Sequence, residues 1–377
     1  MGEAPATLGY NRALDGLRAL AVAAVIAEHS GVLVAHRRVQ GSFGVCVFFV
    51  ISGYLITGLL VAEHDRTGRI GVRAFYRRRW ARLMPALATV VAVTVVWLLA
   101  TGVPIRTWWA GLVGALGYIT DFLEITPAYP HISENFEWSW SLAIEEQFYL
   151  VWPALLIALL ALGPRFGRAR TPVFVACAVV VLGAWIDRAH MGSVRVSAQR
   201  LNFSFDSHMD QIAFGALIAI VTGGRMLGPR LRRALDVLGL VAIGLLTVAT
   251  LHDQWVRRYT LDPDGYTQVT VLSVLVVLAL VVAPSGLLAR PLSWPPLVHL
   301  GKLSYGLYLW NMLAVNVFVY AFGHQPAPGG WALLPWLIVL VAVAELSYRL
   351  VEQPLRRRWA HRPEPRAGAV QPRTANV

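Results

Sequence analysis

Leu83-Met84-Pro85-Ala86-Leu87-Ala88-Thr89-Val90-Val91-Ala92-Val93-Thr94-Val95-Val96-Trp97-Leu98-Leu99-Ala100-Thr101-Gly102 carries no charged side chain anywhere along its length. As a helix it would extend about 30 Å at 1.5 Å per residue, which matches the hydrocarbon thickness of a bilayer. Its apolar residues run continuously instead of alternating, so a spanning helix fits and a barrel strand does not. Working outward, similar runs occupy about 14–34, 43–62, 108–124, 139–162, 172–187, 209–223, 234–251, 267–285, 300–322 and 331–351. The chain of 377 residues is 56% hydrophobic and only 14% charged, against roughly 25% charged in soluble domains. The expected fold class is therefore all-α, a polytopic membrane helix bundle. No internal repeat is visible, and the spans leave no room for a soluble catalytic domain.

Charge distribution orders the spans. The net charge of +12 would fit nucleic acid, but the arginines gather in short segments between apolar runs, where positive charge retains loops in the cytoplasm. No basic face with interleaved aromatics is present, so no nucleic-acid partner is expected; the bilayer is the expected environment. Arg356, Arg357, Arg358, Arg362 and Arg366 put the carboxy terminus in the cytoplasm, and Arg12 and Arg18 argue the same for the start. Both ends inside require an even number of crossings. The segment to demote is 108–124, which is short, glycine-containing and ends in Asp121 and Glu124. Reading it as re-entrant or interfacial leaves about ten spans and places the Arg66–Arg82, Arg165–Arg170 and Arg225–Arg233 loops together inside. Residues 1–361 then form one membrane domain, and 362–377, rich in proline, arginine and small residues, a disordered cytoplasmic tail. Met1–Asn11 lacks a basic n-region and no cleavage site follows the first run, so that run is expected to be retained. Cys46 and Cys177 both fall in apolar runs, with neither metal-ligand spacing nor a disulfide pattern, and read as buried thiols.

Ionisable residues inside a span are costly and mark function by default. The first run holds Asp15, Arg18, Glu28 and His29. Arg18 and His29 lie eleven residues apart, roughly 16.5 Å of rise and nearly the same helix face. That separation suits a long ligand with an anionic head and a reactive tail; the alternative is a snorkelling arginine and a histidine at the opposite headgroups. Arg79 and Arg82, three apart, share a face and could grip phosphates with bidentate donors, although most arginines between Arg73 and Arg82 are read better as positive-inside anchors. Ser52-Gly53 permits close approach by a ligand or another helix. Glu145 and Glu146 enter a span together, more charge than helix capping requires, and at least one should orient a catalytic or substrate group. Asp206, His208 and Asp210 enter a later run, as do Lys302, Ser304 and Tyr305.

These strings, in this order, resemble integral membrane acyltransferase family three. The resemblance runs from Leu14-Asp15-Gly16-Leu17-Arg18 to Glu352-Gln353-Pro354. It includes His29, Phe48-Phe49-Val50-Ile51-Ser52-Gly53, the Phe75–Pro85 stretch, Trp140-Ser141-Leu142-Ala143-Ile144-Glu145-Glu146-Gln147-Phe148-Tyr149 and Leu300-Gly301-Lys302-Leu303-Ser304-Tyr305-Gly306-Leu307-Tyr308-Leu309-Trp310. It implies an O-acyltransferase of a bacterial plasma membrane, in a stand-alone form without an extracytoplasmic hydrolase-like domain. Acyl-CoA from the cytoplasm is the implied donor, as a substrate and not a bound cofactor, and a hydroxyl of a carbohydrate, glycolipid or glycosylated natural product such as a macrolide is the implied acceptor. By resemblance the essential arginine and histidine are Arg18 and His29, the arginine pair Arg79 and Arg82, and the Ser-Leu-x-x-Glu residues Ser141 and Glu145. Asn311 stands where many members carry histidine, and His208 where many carry arginine.

The expected mechanism makes His29 the general base, with Glu145 or Glu146 orienting or stabilising its imidazole. Arg18, Arg79, Arg82, Ser52 and Gly53 are the expected donor contacts, and Ser141, Tyr149, Asp206, Asp210 and Asn311 the expected acceptor contacts. No metal is expected. The competing function is transport or flipping of a glycoconjugate, because intramembrane Arg, His and Glu also build substrate paths. It lacks a visible inverted repeat.

Overall fold

A computed structural model describes residues 9–34, 37–126, 134–166, 170–194, 197–223, 227–251, 263–327 and 331–360. The expected tail, 362–377, lies outside these. Among the described residues, ten long helices form the bundle: α1 (Arg12–His29), α2 (Ser42–Thr67), α3 (Val72–Ala100), then, after two short helices α4 (Trp109–Gly117) and α5 (Thr120–Glu124), α6 (Trp140–Leu162), α7 (Thr171–Ser193), α8 (Phe205–Thr222), α9 (Pro229–Leu251), α10 (Pro263–Val282), α11 (Pro295–Phe322) and α12 (Leu333–Ser347). A π-helical turn, Tyr348–Glu352, continues α12 into α13 (Gln353–Ala360). The described extended structure is a two-residue antiparallel pairing of Leu33–Val34 with Arg37–Arg38.

Among the described residues, eight helices are long and apolar enough to cross a membrane. The other two long helices, α1 and α8, have 18 residues each, about 27 Å of rise, and carry charged residues in place of an unbroken apolar face. They are central: α1 packs on α2 and α11, and α2 packs most extensively on α8. The α2–α8 crossing is close because a Cβ on Gly53 would collide with the Ile212 carbonyl oxygen, and one on Gly215 with that of Val50. Such small-residue contacts bring helices together where apolar burial cannot discriminate protein from lipid.

The segment 108–124 is not one continuous helix but the short pair α4 and α5. It breaks at Tyr118, a non-glycine residue with φ of 55°, whose hydroxyl reaches the Met84 sulfur on α3 at 3.9 Å. Gln147 Nε2 donates to the Tyr118 carbonyl and to Asp121 Oδ1, both at 2.9 Å. Irregular backbone is tolerated at membrane depth when buried in protein and satisfied in this way.

The arginine-rich loops share one face with the described chain ends. Arg170 donates to Asp65 at 2.6 Å and to the Gly223 carbonyl at 2.7 Å, linking three of these loops. Asn11 caps α1 by accepting from the Ala13 amide and also donates to Leu280 at the end of α10. At the other end of α1, Glu28 accepts from the Gly41 amide at 2.9 Å, placing a carboxylate at the start of α2, where the helix dipole favours it.

Candidate active site

Five helices build one chamber, which takes in every expected donor residue except Gly53. Arg18 on α1, Ser52 on α2, Arg79 and Arg82 on α3, Ser141, Glu145 and Tyr149 on α6, and Ser304, Tyr305 and Tyr308 on α11 line a cavity of about 120 Å³. α1 and α3 start from the arginine-rich face, and Arg18, Arg79 and Arg82 lie two to three turns into them, so the guanidinium groups meet in the same cavity. Arg79 is held from two sides. Glu146 accepts from its Nε at 2.9 Å and its Nη2 at 2.5 Å, and the Tyr149 ring lies beneath it, 3.3 Å from the guanidinium carbon to the centroid. This fork-and-stack arrangement pre-organises an arginine as a lysine could not be. Glu145 accepts from the Ser52 hydroxyl and has Arg79 and Arg18 as its charged neighbours. Arg18 reaches Asp15 only at 3.9 Å. Arg82 has no ion pair among the described residues, and Arg18, Arg79 and Arg356 are its positive neighbours. Three guanidinium groups facing one lining carboxylate make the chamber a trap for anions.

His29 does not line this chamber. It lies near the far end of α1, where its Nδ1 is 2.5 Å from Asn311 Oδ1. Asn311 is fully buried, and its Nδ2 donates at 2.5 Å to the Tyr308 carbonyl. A carbonyl can only accept, so Asn311 must present its amide nitrogen to Tyr308 and its oxygen to His29. His29 therefore donates from Nδ1, and in its neutral form the lone pair is on Nε2. The expectation that Glu145 or Glu146 orients the imidazole is corrected here: Glu146 is spent on Arg79, Glu145 on Ser52, and Asn311 holds His29. The structure places Asn311, an expected acceptor contact, against His29.

Tyr308 separates the two places. Its hydroxyl donates to the Trp138 carbonyl at 2.6 Å, so at the same oxygen it accepts from the Ser141 hydroxyl, also at 2.6 Å. Its ring lines the arginine chamber, while its carbonyl anchors Asn311 one helical turn on. Any ligand running from the arginines to His29 passes this tyrosine.

Other expected site residues take structural places. Gly53 faces α8 at the helix crossing, and only Ser52 of that pair reaches the chamber. Tyr149 serves as the platform for Arg79. Asp210, fully buried, takes a bidentate contact from Arg188 at 2.6 and 2.9 Å and a third bond from Trp185 Nε1 at 3.1 Å; Asp206 pairs with Arg200. Asp210 is thus buried in an ion pair, while Asp206 stays partly exposed beside Arg200. His208 is buried against Phe49, Trp140 and Tyr266, with Nε2 bonded to the Asn202 carbonyl. Sequence reading missed Arg188, because the apolar run drawn as 172–187 stops one residue short of it. Tyr308 was also missed, although it lies within the quoted Lys302–Trp310 string.

The family described as "Acyltransferase domain" matches residues 11–345. The chain belongs to this family. The match takes in every element that builds the chamber and the His29 site. The O-acetyltransferase OatA of Staphylococcus aureus strain NCTC 8325 is 31% identical over 362 residues, covering 93% of this chain and 58% of that protein. OatA of strain MRSA252 shows the same identity and coverage. The chain thus spans under two thirds of the length of these relatives. No solved structure matches.

Proposed function

We propose that this member of the acyltransferase family transfers an acetyl or other short acyl group from acyl-CoA to a hydroxyl of a carbohydrate, glycolipid or glycosylated small molecule. The observation that carries the reading is the placement of His29, held at Nδ1 by Asn311 with no hydrogen bond at Nε2, beyond a chamber lined by three arginines. The roughly 16.5 Å of helix rise between Arg18 and His29 suits a donor with phosphates at one end and a thioester at the other. The relatives' printed name, O-acetyltransferase, supports the same chemistry.

In this mechanism Arg18, Arg79 and Arg82 bind phosphate oxygens of the donor, and the acyl thioester extends past Tyr308 toward His29. His29 Nε2 takes the proton of the acceptor hydroxyl as its oxygen attacks the thioester carbonyl. The new C–O bond forms, the C–S bond breaks, and the imidazolium returns its proton to the departing thiolate. A positioned base of this kind is worth about 10²–10⁴-fold, and fixing the donor supplies further rate through proximity. The arginine-rich face, by the positive-inside rule, is cytoplasmic, so donor enters from the side of both chain ends in a bacterial plasma membrane.

The test is transfer of label from radiolabelled acetyl-CoA by purified protein in nanodiscs, given a cell-envelope extract and glycosylated small molecules as acceptors. Labelled acceptor supports the reading. Failure with acetyl-, propionyl- and longer acyl-CoA, together with absence of CoA binding, would overturn it.

A further inference from the structure

Outside the arginine chamber lies a second cavity, of about 440 Å³, which the mechanism above does not use. The two share Arg18, Arg82, Leu55 and Tyr305 in their walls, so one extended ligand can occupy both. The outer cavity opens at the face where the described chain ends meet, between the start of α1 and the π-helical turn. Its size falls within the range of small-molecule and cofactor sites. Two further cations line it, Lys302 and Arg356, and neither has a carboxylate within ion-pair distance among the described residues. Lys302, the single lysine of the sequence, stands 5.6 Å from the Tyr10 ring centroid. Glu352 also lines the cavity. It is 9% exposed and its Oε1 has no hydrogen-bond partner. A buried carboxylate oxygen left unpaired is costly, and its position on a π-helical turn is of the kind associated with functional sites. In the inner chamber, Ser304 is likewise buried with an unpartnered hydroxyl.

Cations alone would fit lipid phosphate at the membrane surface. Glu352 argues otherwise, since a carboxylate repels an anionic headgroup but accepts from a hydroxyl or an amino group. Phosphate-binding cations beside a carboxylate that has one oxygen without a hydrogen bond match a phosphorylated nucleoside, which carries both anionic oxygens and N–H and O–H donors. We propose that the outer cavity seats the phosphorylated nucleoside of the acyl donor, with Lys302 and Arg356 on its phosphates and Glu352 accepting from its ribose or base. This rests on the acyl-CoA reading and adds the residues that would distinguish the full donor from one lacking the nucleotide.

The experiment measures binding of CoA and of 4′-phosphopantetheine, which lacks the nucleoside, to full-length protein in neutral detergent. Wild type, Lys302→Ala/Arg356→Ala and Glu352→Gln are compared, each first checked for an unchanged thermal midpoint. The expected result is at least about tenfold weaker CoA binding in the double variant, the loss of a charged hydrogen bond or more. Glu352→Gln should also weaken CoA, and 4′-phosphopantetheine should bind all three proteins equally. Equal CoA affinity in all three proteins, or equal loss of both ligands, overturns the assignment. Competition of CoA binding by phosphatidylglycerol, with no difference between CoA and 4′-phosphopantetheine, would assign the cavity to a lipid headgroup instead. If wild type binds neither ligand, the acyl-CoA reading itself fails, and this assignment with it; CoA binding that is indifferent to the outer-cavity residues leaves that reading standing and removes only the assignment.

Discussion

Asn311→Ala removes the oxygen that accepts from His29 Nδ1 at 2.5 Å. The imidazole keeps its place at the end of α1 but loses what fixes its tautomer and ring angle. An unmatched donor at a buried partner costs about 1–3 kcal/mol, which corresponds to roughly 5- to 150-fold in rate if the loss falls on the transition state. A fully wrong tautomer at a comparable base elsewhere costs as much as about 10⁴-fold, which sets the ceiling. Asn311→Asp retains an accepting oxygen for His29 but loses the donor to Tyr308, so its activity should lie between wild type and alanine. The assay is initial-rate acyl transfer at saturating donor, with donor binding measured separately. The loss should appear in kcat, with donor affinity unchanged, because Asn311 is outside the arginine chamber. Turnover of Asn311→Ala within twofold of wild type, in a protein that His29→Ala inactivates, would refute the tautomer reasoning.

Asp210→Ala should lower the thermal midpoint sharply, because it strands Arg188, which is 1% exposed, and breaking a buried pair costs about 3–5 kcal/mol. Replacing both members by apolar residues should recover much of that loss, which a substrate-binding aspartate would not permit. Gly53→Ala should destabilise by about 1–3 kcal/mol through overpacking at the α2–α8 crossing, read as a lower melting midpoint, while donor KM in the surviving folded protein stays near wild type. Glu146→Gln should raise donor KM about tenfold by weakening a charged hydrogen bond to Arg79, with the fold intact by size-exclusion profile.

Much of the architecture was legible because bilayer thickness turns run length into topology. The run 83–102 reads as a span without knowledge of its neighbours, and parity plus arginine placement singled out 108–124, which the structure builds as two short helices broken at Tyr118. Helix ends were less legible: α3 begins at Val72, well before the apolar run, because Arg77–Arg82 continue the helix into the chamber. The grouping of Arg18, Arg79 and Arg82 was expected from the sequence, whereas Ser141, expected at the acceptor, and Glu145, expected at the histidine, line the same cavity. What did not follow was pairing. Which carboxylate takes which arginine depends on helix rotation and crossing, and nothing local to Glu146 marks it as the partner of Arg79. Asn311 lies 282 residues from His29, and its contact arises only once α1 and α11 are packed. Asp210 was read as functional because intramembrane charge is rare, yet a buried Arg188 in an adjacent helix accounts for it.

The most direct test of the account is one comparison: wild type and His29→Ala in nanodiscs, with acetyl-CoA, a competent acceptor, and both CoA release and labelled product measured. The account predicts that His29→Ala binds CoA as wild type does, since the arginine chamber is untouched, and that product formation falls by about 10²–10⁴-fold. Normal turnover by a folded His29→Ala protein would contradict it, and the chemistry would have to be sought inside the arginine chamber.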